Sequence, residues 1–300
     1  MAWLATDEQS GEKLSARLSE SLYGDPLAVS LVDNGQNQWQ VAIHFGGIPD
    51  QRKIRALVAA AAGSEAAKRL RFERLAKQDW VKASLEGLRP VQAGRFLIHG
   101  AHDRARVLPN QIGIEIEAAL AFGTGHHGTT RGCLLALDRI CRSWLRRQRR
   151  IFDLGTGSGV LAIAAARTLH QHVLGTDIDA EAVRVARANA RLNRAGVLVE
   201  VLRANGLANH RLRTQAPFDL IFANILLGPL QRLAAPLVKI AAPNARVILS
   251  GLLSSQANAA LSAYRPLALE RRIDTEGWTT LVLARRARPR PAVARPRRRS

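Results

Sequence analysis

The chain has 300 residues, 47% of them apolar, and a formal net charge of +20. Its length suits one large domain or two, its apolar content excludes wholesale disorder, and no uncharged apolar run of roughly 18 residues exists to cross a membrane. The charge points to an acidic partner such as ribosomes or RNA, although much of it is confined to RSWLRRQRR at 142 to 150 and to the acid-free tail RARPRPAVARPRRRS.

The first 75 residues read as a small α+β unit. AWLA predicts a strand, and Leu14, Leu18 and Leu22 recur on one helical face. LAVSLVD reads as the next strand. Asn34 and Gly35 make a turn, and Trp39, Val41, Ile43 and Phe45 alternate as in a half-buried strand. Asp50 opens a second helix carrying Ile54, Leu57, Val58 and Ala61, which Gly63 stops, and KRLRFERL predicts a last strand. The order βαββαβ is ferredoxin-like. Residues 76 to 100 mix aromatic, Pro and Gly signals and read as a linker, and 101 to 285 as the second domain. The tail at 286 to 300 reads as a disordered, solvated segment, with weak rRNA contact as the minority reading.

From Arg150 onward apolar strands and amphipathic helices alternate. IFDL, HVLGTD, VLVEVL, FDLIFAN and ARVILSG are the expected strands, with VLAIAAARTL and AEAVRVARANARLN as helices between them. Such alternation predicts an α/β domain, a parallel sheet covered on both faces. In that architecture ligands bind beyond the carboxyl ends of the strands.

The first of these strand ends carries Asp153 and then Gly155, Gly157 and Gly159. The dinucleotide fingerprint needs its third glycine where Val160 stands, so a nicotinamide reading is disfavoured. Glycine lets the backbone approach a ligand, and the helix that follows offers a partial positive end to a carboxylate. Asp177 stands 22 residues beyond Gly155 at the next strand's tip, where an acid can accept hydrogen bonds from both ribose hydroxyls. Together these residues favour an adenosine ligand without a pyrophosphate, and S-adenosylmethionine fits. Asp179 is expected to cap the following helix. Asn224 ends FDLIFAN, facing the expected position of the sulfonium methyl, and the loop it opens resembles that of methyltransferases acting on nitrogen.

AFGTGHHGTT, DLGTGSG, GTDID, FANILLGPL and LSGLLSSQ, in this order, resemble the PrmA family, the ribosomal protein L11 methyltransferases. The resemblance implies a Rossmann-like, seven-stranded class I methyltransferase domain that uses S-adenosylmethionine, preceded by a smaller substrate-recognition domain. It also implies trimethylation of lysine side chains and of the N-terminal amine of ribosomal protein L11, free or on the ribosome. Cofactor contacts carried over by motif fall on Thr130, Gly155, Asp177 and Asn224, and the glycine-loop reading adds Asp153, Gly157 and Gly159. His126 and Gly128 depart from the family's commoner GTGTHPTT, and Leu227 replaces a frequent Ala, which would narrow the acceptor channel.

Neither the histidines at 99, 102, 126 and 127 nor Cys133 and Cys141 make a convincing metal set, so no metal is expected. The paucity of cysteine and the start MAWLATDEQSGEK, which lacks a secretory pattern, suggest a cytoplasmic protein. Glu276 and Trp278 are candidates for the border of the site.

An amine must be neutral to attack, and a free lysine has a pKa of about 10.4, which desolvation in an apolar channel lowers. Asn224 and the backbone carbonyls of Ile225 and Leu226 are expected to accept hydrogen bonds from the amine and aim its lone pair. The alternatives are an rRNA base methyltransferase, disfavoured because N-I-L-L lacks an aromatic to stack on a base, and a non-catalytic ribosome-assembly factor that retains the fold.

Overall fold

The computed structural model describes residues 1–7, 10, 11, 14, 18, 27–33, 39–45, 49–73, 90–116, 127–144 and 149–286. Three sheets organise them.

The first sheet joins β1 (Ala2–Thr6), β2 (Leu27–Asp33), β3 (Trp39–Phe45) and β4 (Arg71–Phe72) in the order β2-β3-β1-β4, all neighbours antiparallel. This is the ferredoxin-like order. Helical Leu14 and Leu18 pack with Leu4, Val41 and Ile43, as the sequence periodicity requires. Helix α1 (Gln51–Ala62) starts where Asp50 accepts hydrogen bonds from the amides of Arg52 and Lys53, and ends at Gly63, whose φ is +88°. One expectation fails. Instead of continuing into a long strand, the chain forms a further, short helix, α2 (Ser64–Arg69), followed among the described residues by the two-residue strand Arg71–Phe72. The cause is local: SEAAKR consists mostly of good helix formers, has its acid in the first turn and its bases in the last, and buries Ala66 and Ala67. Leu22, the Asn34–Gly35 turn and residues 287–300 lie outside the described residues.

The second sheet is formed by β5 (Val91–Ala93), β6 (Phe96–His99) and β7 (Ile112–Glu115), with a 3-10 helix (Ala101–Arg106) between the last two. The expected linker therefore carries β5 and β6 at its C-terminal end. Hydrogen bonds fasten this sheet to the helices that cover the third. Arg95 Nε donates to Asp138 at 2.6 Å. The Glu115 amide and carbonyl exchange hydrogen bonds with the Asn193 side chain at 2.8 and 2.6 Å.

The third sheet has seven strands: β8 (Ile151–Leu154), β9 (Val173–Asp177), β10 (Val199–Arg203), β11 (Phe218–Asn224), β12 (Ala241–Leu253), β13 (Ala268–Thr275) and β14 (Trp278–Ala284). Their order is β10-β9-β8-β11-β12-β14-β13, parallel except that β14 runs antiparallel to both of its neighbours. The fold is thus the Rossmann-like α/β arrangement expected. Helices α3 (His127–Ser143), α4 (Val160–Leu169) and α5 (Ala180–Leu192) supply the core layer on one face. Helices α6 (His210–Gln215), α7 (Leu227–Ile240) and α8 (Ala257–Ala263) supply the other. VLVEVL begins its strand late: Val197 is 89% exposed, and pairing starts at Val199 after a turn. No helix among the described residues is long and apolar enough to cross a membrane.

Strand order reverses between β8 and β11, so the crevice that an open sheet offers to a ligand lies at their carboxyl ends.

Candidate active site

Alternation along the strands puts Asp153, Asp177 and Asn224 on the same side of the sheet as Ile151, Val173 and Phe222, under α3, α4 and α5. One strand separates β9 from β11, so their tips are about 10 Å apart, a span suited to a nucleoside-sized group.

The glycine loop joins β8 to α4. Gly155, Gly157 and Gly159 have φ of +66°, +53° and +82°, conformations that side chains disfavour. A Cβ on Gly159 would press on Ala186 of α5 at 3.1 Å, whereas one on Gly157 would meet nothing within 4 Å. Gly159 therefore serves packing, and Gly157 faces a space that no described residue fills. The N-cap Gly159 has no side chain, and the Ala162 amide in the first turn of α4 is taken by the Asp153 carboxylate.

Two carboxylates hold the loop. Asp153 is 1% exposed and accepts the Thr156 hydroxyl at 2.6 Å. Burial pushes its carboxyl up to about 7, opposed by the Thr156 hydroxyl and the Ala162 amide and reinforced by the charge of Asp177. Asp177 accepts the Gly157 amide at 2.9 Å through Oδ2 and the Asp179 amide at 3.0 Å through Oδ1. A carboxylate has about four acceptor positions, so two remain for hydroxyl donors. Asp179 caps α5 by accepting the Glu181 amide. Beyond Asp177, Ile178 is 57% exposed and offers apolar surface at the strand tip. The sequence reading did not single it out, although an apolar residue beside the acid was visible.

Asn224 is half-buried at the end of β11, and its side chain bonds to no other described residue. The segment after it is wedged. Ile225 Cγ2 fills the space a Gly155 Cβ would need, at 2.5 Å, while its backbone oxygen lies 2.5 Å from where a Gly251 Cβ would stand. Leu226 leads into α7, and the partly buried Leu227 packs against the core layer below.

Thr130 is half-buried in the first turn of α3. That turn presses closely on the β13–β14 hairpin: a Cβ on Gly128 would reach Thr275 O at 2.8 Å and Trp278 Cδ1 at 2.9 Å. Arg131 also pairs with Glu276 at 3.1 Å. Glu276 and Trp278 thus border this helix end. The preceding residues 117–126, which include His126, and the side chain of His127 lie outside the described residues. Among the described residues no three His, Cys, Asp or Glu side chains gather to hold a metal. Burial raises Cys133 to about 12, which removes it as a nucleophile.

Comparison with known proteins agrees with this geometry. A family model described as ribosomal protein L11 methyltransferase (PrmA) matches residues 23–286. A protein of that name from Rhodopseudomonas palustris (strain BisB5) is 52% identical over 281 residues, 93% of this chain and 95% of the relative. Another from Bradyrhizobium diazoefficiens is 52% identical over 278 residues, 92% of this chain and 94% of the relative. The crystal structure of a ribosomal protein L11 methylase from Lactobacillus delbrueckii subsp. bulgaricus superposes with a TM-score of 0.58 at 27% identity, covering 67% of this chain and 99% of that one. With its seven-stranded sheet, its glycine loop and a family match over most of its length, this chain belongs to the ribosomal protein L11 methyltransferase (PrmA) family.

Proposed function

We propose that this chain transfers methyl groups from S-adenosylmethionine to lysine side-chain and N-terminal amines of ribosomal protein L11, in the cytoplasm where ribosomes are assembled. The observation that carries the reading is the half-buried amide of Asn224, without a hydrogen-bond partner among the described residues, on the same sheet face as the Asp177 carboxylate and beside the glycine loop. The residues present fit the donor. Gly157 opens onto a space that no described residue fills, Asp177 keeps acceptor positions for ribose hydroxyls, and Ile178 offers an apolar surface to a base. Thr130, in the first turn of α3, and the buried Asp153 beneath the loop complete the proposed contacts, the latter through the loop it holds.

When bound, S-adenosylmethionine supplies an electrophilic methyl group. The protein's own work is alignment, since an in-line displacement depends on how the attacking nitrogen is held. Asn224 Oδ1 and the backbone carbonyls of Ile225 and Leu226 accept hydrogen bonds from the incoming amine and direct its lone pair. Partial burial of the segment disfavours the ammonium form, so the amine gives up its proton to water before it is methylated. Residues 1 to 75 serve in substrate recognition.

The test is mass spectrometry of purified L11 and of protein-free rRNA after incubation with enzyme and donor. Mass gains by whole methyl groups on L11 support the reading. Transfer to rRNA alone, or donor binding with no transfer to either, refutes it.

A further inference from the structure

The segment LSG at 249–251 in β12 has no part in the chemistry above, yet both halves of the site meet there. Ser250 lies level with Asn224 of β11 and is fully buried. Its hydroxyl donates to the Thr129 carbonyl at 3.2 Å, so its 2.8 Å bond to Thr280 takes that residue's hydroxyl as donor. Thr129 belongs to the first turn of α3, immediately before Thr130. Ser250 thereby fixes the turn proposed to contact the donor.

Gly251, the next residue, works on the opposite half. Its φ is +79°, and a Cβ there would stand 2.5 Å from the oxygen, 2.8 Å from the carbon and 3.0 Å from the nitrogen of Ile225. Backbone cannot swing aside as a side-chain end can. On the far flank Ile225 is already pressed against Gly155. The acceptor loop thus has one position, set by the missing side chain of Gly251.

We propose that Ser250 and Gly251 are positioning residues that set the gap between donor and acceptor from a single strand, Ser250 by a hydrogen bond and Gly251 by leaving room. The inference rests on the methyltransferase reading above. Restoring ordinary contact around an added Cβ displaces the Ile225 backbone by about 1 Å. A misplacement of that size costs about 10²-fold in rate.

The experiment compares wild type, Gly251→Ala and Ser250→Ala by calorimetric titration with S-adenosylmethionine, steady-state methylation of L11, and thermal melting. Gly251→Ala is expected to lower kcat by about 10²-fold while donor Kd stays within about threefold. Ser250→Ala is expected to show the reverse, donor Kd weaker by roughly five- to tenfold and kcat at saturating donor within about threefold. Unchanged kcat in Gly251→Ala, a kcat loss matched by an equal loss of donor affinity, or unchanged donor Kd in Ser250→Ala overturns the proposal. Should Gly251→Ala fail to fold, Ile225→Ala loosens the same wedge from the Gly155 side: kcat falls with donor affinity kept, and an unchanged kcat overturns the wedge. A wild type that binds donor but leaves L11 unmodified refutes the functional reading instead, and the Ser250 titration, which needs no acceptor, still decides the proposal.

Discussion

The loops on either side of the β8–β11 switch point are held by different physics. The glycine loop is tied by charge and hydrogen bonds, Asp153 to Thr156 and Asp177 to the Gly157 amide. The loop after Asn224 is held by shape, with Ile225 confined between Gly155 and Gly251. A loop held by carboxylates responds to protons and to the charge of its ligand. A loop held by contact responds to a single added carbon and is indifferent to pH. The pairing suits a transfer enzyme, because the donor must be captured and released while the acceptor must be aimed.

The largest effect should break the acceptor side alone. Asn224→Ala is expected to lower kcat for L11 by about 10³-fold, with only a modest change in donor Kd, as read by steady-state assay beside titration. Asp177→Ala should do the opposite, weakening donor binding by roughly 10- to 100-fold through loss of its acceptor positions. Next comes pH. The Asp153 carboxyl titrates at about 7. A donor of net positive charge binds better beside the ionised form, so binding releases a proton and affinity rises as pH rises through 7. Donor Kd should be roughly five- to tenfold weaker at pH 6 than at pH 7.5, and Asp153→Asn should flatten that profile. A profile equally steep in Asp153→Asn would erase the contrast between the loops. The smallest effect is expected at the rim. Arg131 and Glu276 are 43% and 57% exposed, and such pairs contribute little. Arg131→Met should therefore change kcat and donor Kd by less than about twofold.

Much of the third sheet could be read directly. IFDL, FDLIFAN and VLAIAAARTL match β8, β11 and α4 in extent because short apolar runs are bounded there by turn or capping residues. The ferredoxin-like order followed in the same way from Leu14, Leu18, Val41 and Ile43. Where local signals conflicted the reading slipped: KRLRFERL looked strand-like because of its alternation, while the helix formers just before it determined the outcome. The restraints on the site were less accessible. Asp177 was found as an acid at a strand tip, but its bond to Gly157 joins residues 20 apart and depends on the loop's left-handed turn. The Ile225 wedge is harder still, since it arises from backbone approach across two strands, and no residue type announces it. LSG was recognisable as a family motif without any indication of what it holds.

Because β14 runs against its neighbours, Trp278 lies at the end of the sheet that carries the site and Ala284 at the other, about 20 Å away along the strand. Arg285 secures that exit, its amide donating to Ala245 O at 2.9 Å and its guanidinium to Val238 O at 2.9 Å. Arg285 therefore sits at the end of the sheet away from the site. An affinity handle or fluorescent fusion attached directly after Arg286 starts at that end, leaving the end with the site uncovered.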